Sequence, residues 1–199
     1  MSKYDDKIAA IVRKAKTIST KIREINKSYI LSLSDRDHWL LIPSEEKGYI
    51  SWNDYLTKLR GNLKVIGGEG LERTESLFGG VVLENIDFSE FDTSQVTNMN
   101  HMFYWCSIDI LDLGSFDTSK VTDMSCMFNY CKTNSLDLRN FDTSQVTNMS
   151  RMFADCKAKS IDLSSFDTSQ VTDMSDMFKG CESKVIASDK RILEELNNE

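Results

Sequence analysis

The sequence predicts an α/β repeat solenoid, with coils of about 25 residues that each carry a short parallel strand, capped by helices at both ends. Three observations carry this. The phrase Phe91-Asp92-Thr93-Ser94-Gln95-Val96-Thr97-Asn98-Met99 returns, nearly letter for letter, from Phe116, Phe141 and Phe166, each start 25 residues after the last. Each copy continues Met-x-x-Met-Phe-x-x-Cys, and three reach Leu/Ile-Asp-Leu. The apolar residues fall in fixed columns: Phe91, Val96, Met99, Met102, Phe103, Cys106, Leu111 and Leu113 recur at Phe116, Val121, Met124, Met127, Phe128, Cys131, Leu136 and Leu138. A fixed period of this size marks stacked repeats, and it is too short for a propeller blade of about 40 residues.

Within a coil, Leu111-Asp112-Leu113 alternates in-out-in, as a strand with one buried face does. Val96, Met99, Met102 and Phe103 are spaced by three and four, which suits a short helical or 3₁₀ segment. Thr97 or the Asn/Asp after it is a candidate cap. Asp-Thr-Ser ahead of it is turn chemistry, because short polar side chains bond nearby backbone N–H groups. A repeat of this length fits one coil of a leucine-rich-repeat-like solenoid, whose repeats run to about 20–29 residues.

The phrase F-D-T-S-x-V-T-x-M-S-x-M-F-x-x-C followed by L-D-L-S resembles the BspA-like leucine-rich repeat family of bacterial surface proteins, over roughly residues 66–190. The resemblance implies a solenoid that binds other macromolecules, usually outside the cell, and does no chemistry. The N-terminal third departs from the family pattern.

Taken in order, residues 1–65 read as an N-terminal helical cap region. Ile8, Ile11, Val12, Ala15, Ile18, Ile22 and Ile25 predict one amphipathic helix over residues 3–28, with Lys and Arg between the apolar positions. Pro43 ends the apolar run Trp39–Ile42. Residues 51–60 predict a second helix, with Ser51 or Asn53 as cap and Gly61 as stop. Residues 66–190 read as about five coils, the first and last degenerate. In the first, Ile66 aligns with Phe91, Leu71 with Val96 and Val81 with Cys106. Residues 189–199 predict a closing helix capped by Asp189, with Ile192, Leu193 and Leu196 on its apolar face.

The net charge of −7 is unevenly shared. Residues 1–65 hold 13 Lys/Arg and 8 Asp/Glu, a balance of +5; residues 66–199 hold 11 and 23, a balance of −12. An acidic solenoid is a poor direct binder of nucleic acid, and it suits a basic protein partner. The longest apolar run, Trp39–Pro43, is far too short to span a membrane. The charged start, with no apolar leader behind it, reads as cytoplasmic, whereas the family resemblance suggests the cell surface or secretion. Cys106, Cys131, Cys156 and Cys181 share one column and read as a buried thiol ladder. Cys126 stacks over His101, but two ligands make too weak a set for a metal, and no cofactor is expected. No nucleophile motif accompanies His38 or His101, so no catalytic residues are assigned and no enzyme is expected.

Two exposed sets of residues are the candidate partner-binding surface. One is the strand column Asp87, Asp112, Asp137 and Asp162, followed by Ala187, whose carboxylates stack about 5 Å apart and invite hydrogen bonds, a cation or a basic partner. The other is Trp105 and Tyr130, one coil apart outside the core pattern, with Tyr104 beside them; Trp and Tyr dominate interface hot spots. The function expected is a non-enzymatic protein-interaction module. The alternative is an acidic inhibitor, of mobile-element type, that blocks a nucleic-acid-binding enzyme by charge mimicry.

Overall fold

In the computed structural model, residues 4–17, 21–25, 28–32, 36–42 and 56–198 are described. They form a parallel β-solenoid of about six turns with a helix at each terminus. The elements are α1 (Asp5–Thr17), β1 (Lys21–Ile25), β2 (Ser28–Ser32), β3 (Asp37–Ile42), β4 (Asn62–Gly67), β5 (Val82–Phe91), β6 (Ser107–Leu111), β7 (Leu136–Asp137), β8 (Ser160–Leu163), β9 (Lys184–Ala187) and α2 (Lys190–Asn198). One sheet runs β1 to β6 in order, and a second runs β7 to β9. Strands β1, β2 and β3 pair antiparallel; from β3 onward every pairing is parallel.

The N-terminal region corrects the helical reading. The helix stops at Thr17, and residues 21–25 and 28–32 are strands. The stretch Thr17-Ile18-Ser19-Thr20 is rich in β-branched residues, which lose rotamer freedom in a helix and favour a pleated strand. The isoleucine spacing of three and four therefore misleads beyond residue 17. Of the second expected helix, residues 51–55 lie outside the described residues, and Leu56 to Arg60 hold one turn, closed by Leu59 N–H donating to the Leu56 carbonyl at 3.0 Å. The parallel ladder begins at β3, inside the segment read as a cap.

Side chains alternate across β3 and β4. Leu40, Ile42, Leu63 and Val65 enter the main core, while Leu41 and Ile66 face outward onto Ile8 and Val12 of α1. Thus α1 covers the outer face of the sheet over β3 and β4, and Lys7 ties it to Glu90 at the end of β5. The register from β4 to β5 is shorter than the repeat: Lys64 meets Asp87, and Gly67, not Ile66, meets Phe91, with an irregularity between Lys64 and Ile66. From β5 to β6 the 25-residue register holds, Ile86 meeting Leu111.

The core is a set of ladders. Phe78, Phe103, Phe128, Phe153 and Phe178 stack at 5.6–5.7 Å between ring centroids. Three buried Thr of the Asp-Thr-Ser turns bridge coils: Thr118 Oγ1 donates to the Asp142 carbonyl at 2.9 Å and accepts the Asp142 N–H at 2.8 Å. Thr93 and Thr143 repeat the pattern with Asp117 and Asp167. The segment expected to be helical is instead a run of tight turns. Met102 N–H donates to Met99 and Tyr104 N–H to His101, but His101 and Trp105 take positive φ (55° and 53°), which breaks the helix and turns alternate N–H groups toward the next coil. Cys106 and Cys131 bring their sulfurs to 3.3 Å in the buried thiol column, and all five cysteines are free. The hydrogen bond with Cys106 leads in raising the Cys131 thiol well above the usual range.

The C-terminal end substitutes side chains for a further coil. Thr168, fully buried, donates its hydroxyl to the Asp189 carboxylate at 2.9 Å, where earlier threonines use the next coil's backbone. The same carboxylate caps α2 by accepting the N–H groups of Arg191 and Ile192. The Arg191 guanidinium donates to the carbonyls of Thr168 and Val171.

Candidate interaction surface

The aromatic residues form one exposed ladder. Trp105 is 64% exposed and Tyr130 44%. Their rings stack at 5.5 Å with 25° between planes. Tyr104 stands edge-on to both at 6.2 Å, and His101 packs edge-on to Tyr104 at 5.4 Å. A hydrogen bond to the Asp155 carboxylate raises the Tyr130 hydroxyl above its ordinary pKa.

The backbone under this ladder is unusual. Trp105 and Tyr130 occupy the left-handed region, at φ 53° and 57°. The same column holds Gly80 at 70° and Gly180 at 65° in other coils, where glycine takes the conformation without steric cost. A bulky side chain there costs on the order of 1 kcal/mol. Two coils therefore present a large aromatic ring where the coil geometry favours glycine.

The strand face carries the acidic column. Each aspartate first serves its own coil: Oδ1 of Asp87, Asp112, Asp137 and Asp162 accepts the N–H two residues on. Lys64 donates to Asp87 at 2.8 Å, Arg139 to Asp137 at 2.6 Å, and Arg139 lies 3.7 Å from Asp162. Partial burial works against ionisation of Asp87, yet the hydrogen bonds from Lys64 and Ser89 hold it at about 2. Arg139 does the same for Asp137, also at about 2. Asp112 alone of the four pairs with no cation among the described residues. The column ends at Ile186, not Ala187, because β8 pairs with β9 one residue short of the 25-residue register.

Sequence reasoning missed Ile110. It is 60% exposed and borders Asp112, with an open groove of about 270 Å³ beside it that also meets Asp109, Asn134 and Asp137. Its column holds Ser135 and Ser160 in the next coils, so a comparison between coils would have singled it out. The strand separates the two candidate sets. Strand β6 (Ser107–Leu111) lies between Trp105 and Asp112 and spans roughly 13 Å at about 3.3 Å per residue. The aromatic ladder and the acidic column thus lie at opposite ends of the strand rather than in one patch.

His38, weighed for chemistry, makes contacts that hold the fold. His38 is buried, with Nδ1 3.1 Å from Ser32 Oγ and Nε2 3.2 Å from the Arg60 carbonyl, tying β2 and β3 to the turn before β4. Among the described residues, no group of three or more His, Cys, Asp or Glu is placed to hold a metal ion. Among them, too, no helix is long and apolar enough to cross a membrane.

Residues 72–189 match the family model described as "Mycoplasma protein of unknown function, DUF285", which is more than half of the chain. The chain belongs to the DUF285 family. No curated protein and no solved structure matches it. The DUF285 region takes in the aromatic ladder, the acidic column and the Asp189 cap, and leaves α1 and β1 to β4 outside.

Proposed function

We propose that this DUF285 chain is a non-enzymatic protein-interaction module, a leucine-rich-repeat-like solenoid that holds a macromolecular partner through exposed columns. The observation that carries the reading is the Trp105–Tyr130 ladder, solvent-exposed and built on backbone that the first and last coils give to glycine. Rigid stacked aromatics supply contact area at low entropic cost and dominate interface hot spots. The acidic column gives the charge-mimicry reading less support, because Lys64 and Arg139 already pair with three of its four carboxylates.

The test is capture of a partner from lysate of the source cells by wild type and by Trp105→Gly/Tyr130→Gly, followed by calorimetry with the purified partner. Glycine suits the backbone of this column, so the variant is expected to keep its fold. Binding is expected to fall at least ~10-fold, the loss of about 1.4 kcal/mol that one hot spot exceeds. Equal affinity from a folded variant would remove the ladder from the interface.

A further inference from the structure

The last coil leaves a row of backbone donors unfilled. At the first junction between coils, the N–H groups of Thr74, Ser76, Phe78 and Gly80 donate to the carbonyls of Asn98, Asn100, Met102 and Tyr104. Met99, His101, Phe103 and Trp105 do the same to the coil after, and the pattern repeats from Met124 and from Met149. Across these four junctions of four bonds, N···O distances lie between 2.7 and 3.2 Å. The equivalent donors of the last coil are Met174, Asp176, Phe178 and Gly180, and none of the four N–H groups meets an acceptor among the described residues.

The rim of the row is open to solvent, while the residues Met174 and Phe178 themselves stay buried in the core. Asp173, Ser175, Lys179 and Gly180 are exposed, whereas Asn148, Ser150 and Asp155 one coil earlier are half-buried and Ala154 is buried. Asp189 and Arg191 fill the Thr168 corner of the coil and do not reach the row. All four donors face one way because the second and fourth, Asp176 and Gly180, take positive φ (56° and 65°). Stacked peptide dipoles from the earlier coils point the same way and polarise one another, leaving partial positive charge at this end.

We propose that this row is a docking edge for a segment of a partner protein that takes up the same run of turns as the existing coils and adds its backbone to the last coil as one more rung. The four existing junctions define the occupant: a chain that offers carbonyl oxygens at alternate residues. A free anion fits less well, since the Asp173 carboxylate flanks the row, while a neutral carbonyl meets no such repulsion. The same edge of a second copy offers donors, not acceptors. This edge stands on its own observation and does not depend on the aromatic ladder.

The test is amide hydrogen exchange on the full chain, read by NMR at Met174, Asp176, Phe178 and Gly180. The probe is a synthetic peptide copying Val146–Cys156, whose counterpart in the fold already fills such a row, with a scrambled peptide as control. The same peptide tethered by a flexible linker to the C-terminus brings the effective concentration to about millimolar, so weak affinity does not hide binding. Exchange at the four amides is expected to be fast in the free chain and to slow at least ~10-fold with the tethered peptide but not its scrambled form, while the interior rows stay unchanged. No slowing with the tethered peptide overturns the proposal, and so does full protection in the free chain. Protection that grows with protein concentration alone, with a rise in sedimenting mass, overturns the partner reading in favour of a second copy.

Discussion

Replacing Asp189 by alanine removes the side chain that ends the threonine ladder. Two costs follow from the geometry. Thr168 is fully buried, and its hydroxyl loses its carboxylate acceptor; an unsatisfied buried polar group costs about 1–3 kcal/mol. The N–H groups of Arg191 and Ile192 lose their cap, worth about 1 kcal/mol. The sum is roughly 2–4 kcal/mol. With an m-value of about 2 kcal/mol per molar urea, the unfolding midpoint falls by about 1–2 M. Asp189→Asn keeps an acceptor and a good cap, so it is expected to lose no more than about 1 kcal/mol. Because each coil of a solenoid rests on its neighbours, the loss is expected to appear at the C-terminal end first, as an early shoulder in the transition. The decisive measurement is a double-mutant cycle with Thr168→Val, read by urea titration. The hydroxyl and the carboxylate then show a coupling of at least about 1 kcal/mol. Additive costs, or an Asp189→Ala variant within about 0.5 kcal/mol of wild type, would refute the cap.

Thr133 carries the opposite defect. Its buried Oγ1 has no hydrogen-bond partner, and its column holds the buried Ile108 and Ala158, so Thr133→Val is expected to stabilise by about 1 kcal/mol and raise Tm by about 2–4 °C in calorimetry. A drop in Tm would mean that the hydroxyl is satisfied. Acid stability follows from Asp87 and Asp137, both held at about 2, below the unfolded value near 3.9. Their contribution is complete above that unfolded value and is lost as pH falls from about 4 toward 2. Lys64→Met removes the hydrogen bond that lowers Asp87, so its acid midpoint, followed by circular dichroism, is expected to move to higher pH; identical acid curves would exclude the pair as a contributor.

The repeat was legible because packing enforces it. Columns such as Phe103-Phe128-Phe153 are fixed by ring stacking at one rung spacing, and any departure leaves a void in every neighbouring coil. The antiparallel start was not legible, because an isoleucine spacing of three and four fits a helix as well as it fits two short strands. The left-handed positions were half legible. Gly80 and Gly180 signal one column, but the other holds Ser76, His101, Cys126, Arg151 and Asp176, which share no side-chain chemistry that announces a positive φ. The conformation persists at Asp176 in the last coil, where no next-coil carbonyl meets the row, so it belongs to the shape of the turn rather than to a side chain that a local reading would single out. The separation of the aromatic and acidic sets was hidden for a related reason: column membership says which residues line up along the stack, and not where around the coil each column falls.

That distinction also locates the specificity of the molecule. Residues repeated in every coil maintain the stack, and a partner that read only them would bind any coil equally well. Discrimination has to come from columns that change along the axis. Two such exposed columns carry a large apolar side chain: Gly80, Trp105, Tyr130, Asp155, Gly180 at one end of the strand, and Ile110, Ser135, Ser160 beside Asp112 at the other. Trp105 and Ile110 both sit in the second described coil of the repeat, the one that begins at Phe91, and Tyr130 sits in the next. A partner held there is centred on that coil, well short of the open row at Met174 to Gly180, so the aromatic ladder and the terminal edge can be occupied at once. If one protein engages both, binding is bivalent, and loss of either contact lowers affinity by far more than the separate affinities suggest.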